Sequence, residues 1–293
     1  MSAIAESPLL LAEPIWRDRQ RNHADRVRPW IEPHRDRAAR GEKHPVWDFL
    51  FNYYAFRPAW LRRWHPGPDV VLEGPGAAEF LRWPEYRSGA DGVQLNLDAV
   101  PEKRRQFAAW LHRLLTAMQD RPPFFGCFGL HEWAMVYRQA AGAQRHEDWP
   151  LRHAPEELAR IVESSAICCS HFDAFRFFTA AARPLNKLQP ARTDVGAQEQ
   201  RGCLHANMDL YKWAFKLAPY APSELIADAF ALARDIRAVD MRASPYDLRG
   251  LGFEPIAIET AAGRAEYERA QRRFAARGEP LRARLLSVCR RLA

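Results

Sequence analysis

Residues 203–217 read CLHANMDLYKWAFKL, directly after Gly202. On a strand every second side chain would share a face. On a helix His205 and Asp209, four apart, lie one above the other, with Lys212 and Trp213 further along the same flank. The helix is the reading adopted for this stretch. A carboxylate four residues from a histidine can fix its tautomer, accept its proton or join it on a metal. The same spacing also serves an ordinary structural His–Asp hydrogen bond.

The Cys-x-His opening recurs at residues 169–178, CSHFDAFRFF. On a helix positions i and i+2 point roughly 200° apart, so Cys169 and His171 could not ligate one ion there. A strand would align Cys169, His171 and Asp173. The run of Phe172 and Phe175, with Arg176 three after Asp173, favours a helix carrying a local Asp173–Arg176 ion pair. The two words together predict that His171, Asp173, His205 and Asp209 meet at one pocket. The cysteines should turn to the other side as small core residues.

Outward from these words, helices dominate. PEKRRQFAAWLHRLLTAM (101–118) aligns Phe107, Trp110, Leu111, Leu114, Leu115 and Met118 without a breaker. PEELARIVESSAI, SELIADAFALARDIRAVDM, GRAEYERAQRRFAARG and PLRARLLSVCRRLA read alike, with Ser223 as an N-cap and Gly278 as a stop. Strands are expected only at 69–73 (DVVLE), 93–97 (VQLNL) and 254–258 (EPIAI). Residues 186–202 read as loop. Residues 15–40 place Trp16, His23, Val27 and Trp30 on one helical side, and Pro29 and Pro33 should break or kink that helix. The expected fold is mainly α, a multi-helix domain with a few short strands. It divides into a basic N-terminal helical arm over 1–40 and a single mainly helical domain over 41–293.

The chain has 293 residues, 47% hydrophobic and 27% charged, which is a globular composition. No run of about 18 apolar residues exists to span a membrane. The opening MSAIAESPLLLAEPIW lacks a basic region ahead of its apolar patch and makes a poor secretory signal. Five cysteines form no CxxC pair, so reduced thiols in a cytoplasm are expected. Forty-three basic against 36 acidic residues give a net charge of +7, compatible with nucleic acid without demanding it.

Two further clusters carry polar chemistry. In PPFFGCFGLHEWAMVYR (122–138) two glycines precede His131-Glu132-Trp133, which should open a helix running to Arg138. The HExxH spacing of metalloproteases is not met. In DMRASPYDL (240–248) Asp240, Arg242, Tyr246 and Asp247 suggest a helix-terminal loop aimed at a site. No GxGxxG, Walker or GxSxG motif occurs. A cysteine nucleophile at Cys127, Cys169 or Cys203 ranks low, since buried thiols are common and inert.

HPVWDFLFNYYAFRPAWLRRWHPG, FGCFGLHEWAMVYR, CSHFDAFRFF, CLHANMDLYKWAFKLAP and DMRASPYDL together resemble a bacterial family named 3-methyladenine DNA glycosylase, over roughly residues 40–276. The resemblance implies a hydrolase that excises alkylated purines from DNA without a cofactor. Such an enzyme flips the nucleotide and stacks its base on aromatics. Here Trp133, Tyr137, Phe175, Tyr211 and Trp213 would stack, and Arg176, Lys212, Arg242 and Tyr246 would add substrate contacts. Asp209, Asp173 or Glu132, with His205 and His171, would take the catalytic roles. The Gly-hydrophobic-Gly hairpin of helix–hairpin–helix glycosylases has no counterpart in the chain. The residues alone allow two other functions. One is a metal-dependent enzyme holding zinc or non-haem iron on His131, His171, His205 and Asp209. The other is a binding module without catalysis, whose tryptophans and arginines hold a small anionic ligand or a protein.

Overall fold

Residues Leu204–Lys216 form a helix in the computed structural model, which describes residues 7–139 and 149–293. In chain order the elements are β1 (Leu9–Leu11), α1 (Glu13–Ala39), α2 (Phe49–Tyr54), α3 (Pro58–Leu61), β2 (Val70–Leu72), β3 (Tyr86–Ser88) and β4 (Val93–Leu95). They continue as α4 (Glu102–Asp120), α5 (Leu130–Ala134), α6 (Pro155–Glu163), α7 (Phe172–Phe175), α8 (Val195–Gln198), α9 (Leu204–Lys216), α10 (Ser223–Arg242) and α11 (Ala261–Leu292). The fold is therefore mainly helical, with one small sheet.

The core is built around α9, which packs on α10 and α11, while α11 also lies against α4. On α4 the stripe Ala108, Leu111, Leu114, Leu115 and Met118 is buried, as its periodicity requires. Helix α9 instead buries residues all round, Asn207 and Asp209 among them. A helix enclosed on every side has no solvent face for its polar groups, so each needs an internal partner.

The sheet has the order β1-β2-β4-β3, with β1 parallel to β2 and the other pairs antiparallel. Two expected strands occur, at Val70–Leu72 and Val93–Leu95. The third does not. Residues 254–258 pair with no strand among the described residues, bury Ile256 and Ile258, and hydrogen-bond Ile256 N–H to the Arg242 carbonyl at 2.8 Å before turning back with Ile258 N–H on the Ile256 carbonyl at 2.8 Å. Their apolar alternation is satisfied by packing alone.

Punctuation residues misled the reading elsewhere. Helix α1 runs unbroken through Pro29 and Pro33, which sit on its exposed side while Trp16, His23, Val27 and Ile31 are buried. The carbonyls that lose a partner at the prolines can be solvated, and the buried stripe holds the helix together. Helix α11 likewise passes through Gly278 and Pro280. Gly278 is a contact residue, because a Cβ there would come within 2.3 Å of Asn207 Oδ1. Ser223 does not cap α10. Its hydroxyl donates to the Arg63 carbonyl at 3.1 Å and accepts from His65 N–H at 2.8 Å. Helix α5 stops at Ala134 rather than Arg138, which adopts a φ of +46°. The 186–202 segment contains the short helix α8, and that placement matters below.

Candidate functional site

The i, i+4 pair on α9 sits at the middle of a buried polar centre. Helix α5 brings His131, the residue preceding α7 is His171, and α9 supplies His205. The His205 ring centroid lies 4.4 Å from that of His131 and 5.2 Å from that of His171. Three imidazoles distant in sequence therefore meet, and two groups of carboxylates flank them.

On one side Asp240, in the last turn of α10, sits with Oδ1 3.1 Å from His131 Nε2. On the other, His171 Nε2 lies 3.3 Å from Glu199 Oε1 and 3.5 Å from Asp209 Oδ2. Glu199 follows α8 directly. Within each of the triads His131–His205–Asp240 and His171–Glu199–Asp209, one ligand atom per residue falls within 4.8 Å of the others.

Cations and a phenol fix the carboxylates from outside. Tyr54 donates its hydroxyl to Asp209 Oδ1 at 2.7 Å, and Lys212 Nζ donates to Asp209 Oδ2 at 2.9 Å and to Asp173 Oδ2 at 3.0 Å. Arg237, one turn before Asp240, donates to Glu132 Oε1 at 2.7 Å and to Asp240 Oδ2 at 3.3 Å. Its guanidinium also lies 3.7 Å over the Phe49 ring.

Electrostatics follow from burial set against these partners. Burial alone would raise Asp209, but Lys212 and His171 outweigh it and hold the carboxyl well below the usual range. Asp240 is held down in the same way, with His131, His205 and Arg237 outweighing its desolvation. Burial pushes the Glu199 carboxyl up to about 7 against the pull of His171. Desolvation, reinforced by His131, keeps His205 well below the ordinary imidazole value and hence neutral. His131 and His171 are raised, because Asp240 for one and Glu199 with Asp209 for the other outweigh their burial.

Several of these atoms are short of hydrogen bonds. Both ring nitrogens of His171, Glu199 Oε2 and Asp240 Oδ1 are buried without a hydrogen-bond partner, although charged groups lie near. Proximity without hydrogen-bond geometry leaves these atoms able to serve as ligands. The neutral His205 imidazole and the ionised Asp209 and Asp240 are in the protonation states that metal binding needs, whereas the raised His131 and His171 would give up a proton to ligate an ion. The donor set, mixed nitrogen and oxygen, suits zinc or iron.

The centre is closely packed. One void, between Glu132, Asp173 and His205, measures about 10 Å³, and a second of about 10 Å³ lies between His131, Cys169, Cys203 and His205. Each has room for about one water. Cys169 and Cys203 thus face the centre, contrary to the expectation that they turn away. Burial raises both thiols, Cys169 to about 12, so they are protonated small side chains there.

Of the other residues expected at the site, Glu132 and Asp173 join it through Arg237 and Lys212. Arg176 pairs with Asp173 at 3.4 Å, and the Tyr211 ring lies 5.7 Å from that of Tyr54. The rest are held by partners of their own. Trp133 donates to the Ala243 carbonyl at 2.8 Å and Tyr137 to Glu163 at 2.7 Å. Phe175 packs on Phe178 and Trp213 on Trp110. Arg242 binds the Glu254 carbonyl at 2.7 Å, and Tyr246 bridges to Leu151 through its backbone. Sequence reasoning missed Glu199, Arg237 and Tyr54, and left Asp240 in a loop. Only Arg237 and Asp240 carried a legible signal, the i, i+3 spacing of an ion pair on a helix.

Comparison of the chain with family models, with curated proteins and with solved structures finds no match.

Proposed function

We propose that this protein is a metal-dependent enzyme whose centre is formed by His131, His205 and Asp240 together with His171, Glu199 and Asp209. The observation that supports the reading is the set of buried ligand atoms on His171, Glu199 and Asp240 without a hydrogen-bond partner, each within one of two His/carboxylate triads. Three protein ligands per ion leave coordination positions open for water, as in catalytic rather than structural sites. Bound zinc or iron would supply Lewis acidity or oxygen chemistry there. Tyr54 and Lys212 orient Asp209, and Arg237 orients Asp240 and Glu132. Such outer partners fix the direction in which a carboxylate offers its free oxygen.

The test is elemental analysis of purified protein. Zinc or iron is expected near one equivalent or more per chain, and His171→Ala and His205→Ala should each lose most of it. Protein that is active without either metal would overturn the reading.

Base excision from DNA, implied by the resemblance, is the second reading. Its support is the part-exposed Asp173 beside Tyr53 and Phe177, together with the positive net charge. It ranks second on volume, since an extruded purine needs far more than the water-sized space at these carboxylates. Its test is release of free base from methylated duplex DNA, with abasic sites expected under excess protein.

A further inference from the structure

A cavity of about 400 Å³ lies away from the buried centre and shares no residue with the two triads. This is ligand-sized. One wall is a slab of rings. Phe56 stacks on Phe215 at 4.1 Å between centroids with planes 8° apart, and the Trp60 plane is also 8° from that of Phe215, at 6.4 Å. Trp60 is 47% exposed, a large apolar surface left facing the cleft. Trp83, edge-on to His65 at 4.9 Å, adds a further ring to the lining.

Three cations border the rings: Arg63, Arg104 and Lys216. The Arg63 guanidinium lies 5.0 Å from the Trp60 ring centre. Arg104 donates to the Lys216 carbonyl, which fixes its position at the end of α9. Among the described residues none of the three is in a salt bridge, although the surface elsewhere pairs its arginines extensively. Glu85 is the one carboxylate of the lining. Parallel apolar ring faces beside uncompensated cations recognise a planar ring carrying negative charge.

We propose that this cleft binds a small aromatic anion, its ring against Trp60 and Phe215 and its phosphate or carboxylate against Arg63 and Lys216. The proposal does not depend on the metal reading. Isothermal titration calorimetry of the full chain with 1-naphthyl phosphate, 1-naphthol and inorganic phosphate tests it. The phosphate ester should bind saturably, roughly ten-fold or more tighter than either fragment, and more weakly as salt rises. Trp60→Ala and the pair Arg63→Gln with Lys216→Gln should each weaken it roughly ten-fold. Because these side chains are exposed, the melting temperature should hold, which separates lost binding from lost fold. Three results would overturn the proposal: no saturable binding of the ester, variants that bind as the wild type does, or a single-stranded oligonucleotide that binds more tightly than the ester.

Discussion

Glu199→Gln separates a cation site from a structural ion pair, because the two assign opposite signs to the same substitution. The Glu199 carboxyl, buried beside His171 and Asp209, titrates near 7 in the folded chain against an ordinary 4.5. A carboxyl raised on folding stabilises the native state below the unfolded value, and that contribution is lost as pH climbs from 4.5 through 7. A shift of this size corresponds to about 3 kcal/mol. Glutamine keeps the shape and never ionises, so metal-free variant and wild type should be similar at pH 5. At pH 8 the metal-free variant should be the more stable by up to about 3 kcal/mol, or roughly 6 °C in a chain of this size. Added metal reverses the order. At a thousandfold excess over its Kd an ion stabilises the wild type by about 4.1 kcal/mol, while the variant, short of a ligand, gains little. The assay is thermal melting of chelator-treated protein at pH 5 and pH 8, before and after zinc or ferrous iron. A metal-free variant that instead loses about 3–5 kcal/mol at pH 8, as a broken buried pair does, and then takes up metal like the wild type, would refute the reasoning.

Other substitutions probe the frame around the centre. Arg237→Met removes the cation between buried Glu132 and Asp240 and should cost about 3–5 kcal/mol in urea unfolding; a loss under 1 kcal/mol would mean the two acids are not held by it. Gly278→Ala places a Cβ 2.3 Å from Asn207 Oδ1, the acceptor of Arg282. Overpacking of about 1–3 kcal/mol should outweigh the helix-propensity gain of about 1 kcal/mol, so the urea midpoint falls. Burial, aided by Arg63 and His23, lowers His65 from 6.5 to about 4. The unfolded chain therefore takes up this proton first as pH drops below 6.5, and stability falls by up to about 3 kcal/mol by pH 4. His65→Gln should flatten the pH dependence of stability between those limits; an unchanged slope would place its source elsewhere.

How much of this was legible depends on how local the cause is. The helical period of α9 and the His205–Asp209 spacing are properties of five neighbouring residues, and both were read. That His171 and His131 come to the same place followed only loosely, from two similar words on separate segments. Glu199 lies in a polar run, EQRG, with no periodicity, and its partners stand 28 and 10 residues away at His171 and Asp209. Nothing local distinguishes it from a solvated acid. Proline and glycine misled in proportion to the tertiary contact at the position. At Gly278 the approach of α9 decides, and at Pro29 and Pro33 the buried stripe of α1 overrides the missing donors. Strands of three residues, such as Leu9–Leu11, are too short for alternation to be seen.

The arrangement of charge argues further about what the centre is for. Five carboxylates gather there: Glu132, Asp173, Glu199, Asp209 and Asp240. Three permanent cations, Arg176, Lys212 and Arg237, answer them. Arg176 pairs with Asp173 alone, Lys212 bridges Asp173 and Asp209, and Arg237 bridges Glu132 and Asp240, which leaves Glu199 paired with imidazole. A structural network of buried charge closes on itself, because every unanswered group costs desolvation without return. Here the network does not close. At the centre the shortfall falls on both ring nitrogens of His171, on Glu199 Oε2 and on Asp240 Oδ1, each a member of one of the two triads. Under the proposed metal reading a divalent cation would supply charge and bonds at those same atoms, which a proton shared between Glu199 and His171 could do for only one pair.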